Sequence, residues 1–141
     1  MVVLAIAAGS LALGHKDDVQ PASDVRPGRV EHIAGSNISR VVLTAEAAKR
    51  LDIATQPVRD EPAAGSLRKV ISYAAVLYEA SGATYTFTNP EPLVFVRAPI
   101  TVDSIQGDRA ILSAGPAAGT PVVTVGATEL YGTEFGVSGD E

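Results

Sequence analysis

The chain has 141 residues, no cysteine, and 11 basic against 16 acidic residues, for a net charge of −5. The missing cysteine excludes disulfides, thiolate metal sites, iron–sulfur clusters and cysteine nucleophiles. The acidic balance, with Lys49–Arg50 and Arg68–Lys69 as the only adjacent basic pairs, argues against a phosphate-binding nucleic-acid surface. Four Tyr, three Phe and no Trp leave most of the 46% apolar content to small and aliphatic residues, which predicts a thin, layered core of Val, Ile and Leu.

Met1 to Gly14, MVVLAIAAGSLALG, is apolar throughout. As a helix it would cover roughly 20 Å, short of a hydrocarbon core of about 30 Å. Its length suits the h-region of a secretory signal, and Ala12-Leu13-Gly14 offers a small-x-small site for cleavage before His15. No Lys or Arg precedes Lys16, so a basic n-region would have to lie upstream. The segment is read as an address to the extracytoplasmic cell envelope, periplasmic or secreted, and as a means of membrane association. The alternative is a buried apolar element of a cytosolic domain. Residues 15–37 are polar, carry Pro21 and Pro27, and read as a linker in which Arg29 to Ile33 can form a short strand.

Ile38 to Leu43 is a strand candidate. Thr44 can then cap a short helix over Ala45 to Leu51, with Glu46 near its N-terminus and Lys49 and Arg50 near its C-terminus to complement the dipole. Ile53 to Val58 alternates as a strand, with Pro57 placing it at an edge, and Arg59 to Ser66 reads as a short connection. From Lys69 the β signals strengthen. Val70-Ile71 and Ala74 to Tyr78 form one apolar run, and Glu79 to Gly82 is a turn. Thr84 to Thr88 places Tyr85 and Phe87 on one face and is broken by Asn89 to Pro92. Leu93 to Asp103 is the clearest strand. Val94, Val96, Ala98, Ile100 and Val102 fall on one face, read as inward, and Phe95, Arg97, Pro99 and Thr101 on the other. Gln106 to Asp108 turns into Arg109 to Leu112, Gly115 to Gly119 is a loop, and Pro121 to Val125 reads as a buried strand. Gly126 ends it, and Ala127 to Tyr131 suits one helical turn. Gly82, Gly107, Gly115, Gly119 and Gly126 are the glycines that shape these turns.

The expected fold is mainly β: a small antiparallel barrel or roll with one short helix, after an apolar segment (1–14) and a linker (15–37). A strand–helix–strand unit would cover 38–62 and a β domain 63–141.

Two stretches carry a resemblance. VVLTAEAAKRLDIATQPV (Val41–Val58) resembles the strand–helix–strand piece near the β-barrel domain of the periplasmic adaptor subunits, or membrane fusion proteins, of bacterial efflux transporters. Lys69 to Val137 resembles their membrane-proximal end, most specifically in SYAAVLY and in the ordered elements between Gly107 and Leu130. The resemblance implies a part that docks on an inner-membrane efflux transporter subunit. It covers only the family's β-rich end: the lipoyl-like domain and the long helical hairpin found in the body of full-length adaptors have no counterpart here.

The search for chemistry returns little. Gly115 to Thr120 lacks the Lys of a phosphate loop, and no G-x-S-x-G elbow is present. His15 and His32 fall in the linker, where His15 with Asp17 and Asp18 offers at most a weak metal site. Asp60 and Glu61 are adjacent and lack the two differently tuned environments that acid–base pairs need. No catalytic, cofactor-binding or metal-binding residues are assigned. Glu79 and Ser81, in the turn, and Arg97, turned away from the aliphatic face and read as solvated, are the candidates for partner contacts. The function expected is a non-catalytic envelope part docking on a transporter. The alternative is a free-standing secreted ligand- or metal-binding β module.

Overall fold

A computed structural model describes residues 28–63 and 65–136. The apolar segment, residues 15–27 of the linker, and the chain beyond residue 136 lie outside the described residues. Ten strands, two short helices and one 3-10 turn follow in order: β1 (Gly28–His32), β2 (Ser39–Leu43), α1 (Ala45–Arg50), β3 (Ala54–Pro57), β4 (Arg59–Ala63), β5 (Ser66–Ser72), the 3-10 turn (Tyr73–Ala75), β6 (Leu77–Tyr78), β7 (Thr84–Glu91), β8 (Val94–Gln106), β9 (Arg109–Ala114), β10 (Pro121–Val125) and α2 (Ala127–Glu134). Every strand pairing is antiparallel.

The short helix forms for the reasons its sequence states. The Thr44 hydroxyl accepts a hydrogen bond from the Ala47 N–H at 3.0 Å, and Glu46 and Lys49/Arg50 sit at the favourable ends of the dipole. The strand anticipated near Arg29 exists as β1, paired along its length with β2. The helical turn at Ala127 continues as α2 to Glu134.

The strands lie in the order β3-β10-β7-β8-β9-β5-β4, with β2 joined to β8, β1 to β2, and β6 to β7. The result is a curled, half-barrel sheet. Two long segments cause the curl. The first half of β8 pairs with β7 and β2, its second half with β9, and Pro99 stands between residues 94–96, which pair with β2, and residues 101–106, which pair with β9. A proline is tolerated there because its missing N–H faces a position with no partner strand on that side. The second segment is Ala54 to Ala63. As β3 it pairs with β10, and as β4 with β5. Val58, at the junction, donates to the Thr120 carbonyl at 2.9 Å and accepts from Gly119 N–H at 2.8 Å. The two ends of the strand order are thus joined through one residue. The expected connection over Arg59 to Ser66 is corrected accordingly: RDEPA is a strand. Its composition is polar because it is the last strand of the order, and Pro62 fits that edge.

Two cores lie on opposite faces. Val41, Leu43, Ala47, Phe87, Phe95, Val123, Ala127 and Leu130 form one, between the sheet and the two helices. Val58, Ile71, Ala75, Ile100, Ala110, Leu112 and Val122 form the other, in the concavity of the curl. Neighbouring residues Val122 and Val123 are both fully buried, as are Thr86 and Phe87. β7 and β10 are therefore covered on both sides at their middles; of the run Pro121 to Val125, expected to be buried, Val122 and Val123 are, while Val125 is exposed.

The assignment of faces on β8 is also corrected. Phe95 and Arg97, expected outside, are buried, while Val94, Val96 and Ala98 are only half-buried; past Pro99 the burial passes to Ile100. The face carrying Phe95 and Arg97 is the one that the helices cover, while β2 lies beside β8 in the sheet. Strands on either side of residue 63 pair with each other, so 28–63 and 65–136 share one sheet.

Candidate docking surface

The β6–β7 hairpin and the middle of β8 build the site. Leu77 pairs with Tyr85 and Tyr78 with Thr84. The turn between them is closed by Gly82 N–H to the Glu79 carbonyl at 2.8 Å and Glu79 N–H to the Ala83 carbonyl at 2.9 Å. Ser81 spends its hydroxyl inside the turn, accepting from the Ala83 N–H at 3.3 Å, and Gly82 takes φ 97°. Ser81 is exposed and Glu79 partly so.

Arg97 anchors this hairpin from behind. It is 4% exposed. Its Nε and Nη2 donate to Glu134 Oε1 and Oε2 at 2.7 and 3.1 Å, a bidentate pair, and Nη1 donates to Glu79 Oε2 at 3.0 Å. Glu134 Oε2 also accepts from the Ser39 N–H at 3.2 Å. The guanidinium lies 4.4 Å from the Tyr85 ring centroid and 5.0 Å from that of Phe135, within cation–π range. Burial alone would lower the Arg97 pKa. The hydrogen bond and charge of Glu134, with the charge of Glu79 and the Tyr85 contact, outweigh it and hold the guanidinium above its ordinary value. One buried cation thus ties β8 to the hairpin, to the start of β2 and to the end of α2. Arg97 does not present itself to solvent; it positions Glu79 and Tyr85, which do.

Against Tyr85 lies a groove of about 550 Å³, lined by Tyr78, Thr84 and Tyr85 of the hairpin and Pro99, Ile100 and Val102 of β8. None of these carries a charge. The Ile100 carbonyl is capped by the Thr84 hydroxyl at 2.7 Å, so the groove wall is finished without a partner strand. Beside it, Tyr78 is 57% and Tyr73 44% exposed. The Tyr78 phenol is raised above its ordinary value, first by hydrogen bonding to Tyr73, then by burial and by the charge of Tyr73. Two of the chain's four tyrosines therefore lie together at the surface, whereas the aromatics of the core are Phe87 and Phe95.

Of the turn glycines, Gly82, Gly107, Gly119 and Gly126 all have positive φ. Gly115 does not; a Cβ there would come within 2.9 Å of Leu112 Cδ1 and 3.3 Å of Ile100 Cγ2, so it is needed for close packing instead. Among the described residues no three metal-ligating side chains converge, and His32 stands alone on β1; His15, Asp17 and Asp18 lie outside them. What sequence reasoning missed is the partner of Arg97. Two signals pointed to it: an arginine inside the apolar run VFVRAPI, and an acid, Glu134, at a helix C-terminus where the dipole disfavours it.

No family model matches this chain, and no curated protein or solved structure matches it either, so the groove is interpreted from its own residues and geometry.

Proposed function

We propose that this protein is a non-catalytic assembly part of the cell envelope, akin to the membrane-proximal end of an efflux adaptor, and that it docks on an inner-membrane transporter subunit through the tyrosine-lined groove. The observation that carries the reading is the pairing of exposed Tyr73 and Tyr78 with an uncharged groove whose Tyr85 wall rests on the guanidinium of the buried, bidentate Arg97–Glu134 pair. Tyrosine supplies large contact area with few rotatable bonds and is enriched at binding hot spots. A wall already fixed in the free protein spares the entropy of ordering it on association. The resemblance of Val41–Val58 and Lys69–Val137 to adaptor subunits supports the identity of the partner. The apolar segment Met1 to Gly14 supports the compartment.

Photo-crosslinking in the native envelope tests this. A crosslinker at Tyr78 is expected to capture a transporter subunit of the inner membrane, while one at Leu67, 66% exposed on β5, is not. Tyr73→Ala should weaken capture from position 78 about tenfold or more without changing the unfolding midpoint. Equal capture from both positions, or none from Tyr78, would overturn the assignment of this surface.

A further inference from the structure

A second pocket, about 230 Å³, opens where the β3–β4 corner meets the end of β5 and the β8–β9 turn. Arg59 is in register with Val70, and Arg109 with Ser72. Since Val70 and Ser72 point to the same side of β5, both arginines rise from that face, two strand spacings and two residues apart, a backbone separation of about 12 Å. The floor between them is apolar and buried at Val70. Arg59 has no ion pair among the described residues. Arg109 donates through Nη2 to Glu61, and its Nε is buried with no partner. The Ser72 oxygen accepts from the Ala74 N–H at 3.2 Å, which leaves its own O–H available to donate. The donors of this pocket thus outnumber the acceptors they have been given.

We infer that this pocket is a carboxylate-binding site, with Arg59 as the bidentate clamp and Arg109 Nε–H and Ser72 O–H as side donors. Charge sets the class of ligand. Arg109 is already paired with Glu61, which leaves Arg59 as the one guanidinium of the lining without an ion pair, enough for a single carboxylate, while a polyanion would also meet Glu61 and Asp108. A monoanion can take the planar fork of Arg59, which matches carboxylate geometry, and can satisfy the orphaned Nε, whose burial is otherwise unfavourable. The carboxylate can belong to a small free acid or to a Glu or Asp side chain presented by another protein. This inference is independent of the docking role of the tyrosine groove.

Titration of the full chain by NMR, watching the backbone amides of Gln56, Ser72 and Arg109 and the Nε–H signals of both arginines, tests it. The probes are acetate, for a free acid, and a blocked tripeptide with one central glutamate, for a presented side chain. Saturable shifts confined to these signals are expected with at least one probe; saturation by the tripeptide alone identifies the presented form. Arg59→Ala should weaken binding roughly tenfold to a hundredfold, and Glu61→Gln, which removes a competing acceptor, should tighten it severalfold. Arg29→Ala, on β1, should leave binding unchanged and so controls for general charge effects. Shifts that never saturate with either probe, or an Arg59→Ala protein that titrates like the parent, would overturn the site.

Discussion

Arg97 is the residue on which most of the local architecture depends, and its energetics are those of a buried ion pair. With side-chain exposures of 3% for Arg97 and 2% for Glu134, removing one partner strands the other charge away from water. Arg97→Ala is expected to cost about 3–5 kcal/mol in urea denaturation, against about 1 kcal/mol for Val96→Ala on the half-buried face. Replacing both ends, with Arg97→Met and Glu134→Leu, should restore much of the loss, because apolar packing can stand in for a buried pair. A double variant as unstable as the sum of its singles would contradict this. The raised pKa of Arg97 means its contribution is fully present below its unfolded value and fades only at more alkaline pH, so it is constant across the neutral range. Tyr78 behaves alike at a lower threshold. Its raised pKa favours the folded state below an ordinary phenol pKa of about 10 and ceases to do so as pH climbs through the folded value. Tyr73→Phe should return Tyr78 toward the ordinary value, read as an earlier phenolate rise in an ultraviolet titration. An unchanged curve would show that the two phenols do not interact. Thr86 presents the opposite case, a fully buried hydroxyl with no hydrogen-bond partner. Thr86→Val should raise stability by about 1 kcal/mol, seen as a higher thermal midpoint; a lower midpoint would reveal a partner for that hydroxyl.

At the scale of elements, α2 is a weak helix made secure by its surroundings. It starts at Gly126 with φ 93° and no side-chain cap, and carries Gly132 inside and Glu134 at its unfavourable end. Burial of Ala127 and Leu130 and the clamp from Arg97 compensate. Gly126 is irreplaceable on two counts: its backbone is left-handed, and a Cβ would collide with Ile53. Gly126→Ala should therefore cost about 2–4 kcal/mol, combining the left-handed strain with overpacking, and should reduce amide protection in α2 before it does so in β9. Protection lost evenly throughout would mean that α2 is not a separate unit. The β4–β5 hairpin shows how pairing overrides composition. RDEPA has no apolar alternation, yet it is held in register from Arg59↔Val70 to Ala63↔Ser66 because β5 offers an unpaired edge.

For the molecule as a whole, β10 is the strand through which both cores communicate. Val122 faces the concave core and Val123 the helix-covered one, each fully buried. Val122→Ala and Val123→Ala should each cost about 2 kcal/mol, whereas a strand with one wet face would show one severe and one mild change. β10 meets β7 by a single paired rung, Thr88↔Val122, so packing on both sides, more than the ladder, holds this seam. Much of this plan was legible in the sequence: the capped helix after Thr44, the turns at Gly82 and Gly107, and a buried strand over Pro121 to Val125, of which Val122 and Val123 are the buried pair. Those features depend on neighbours a few residues apart, through capping, backbone freedom at glycine and hydrophobic run length. The alternation in VFVRAPI likewise determined which residues of β8 share a face. Which face looks inward was decided only by the tertiary structure, because a period of two carries parity and no sign once helices cover one side and a curled sheet the other. The same holds for Arg97: its charge was visible in the chain, but its partner lies 37 positions away, and only folding brings a second buried charge within hydrogen-bond reach.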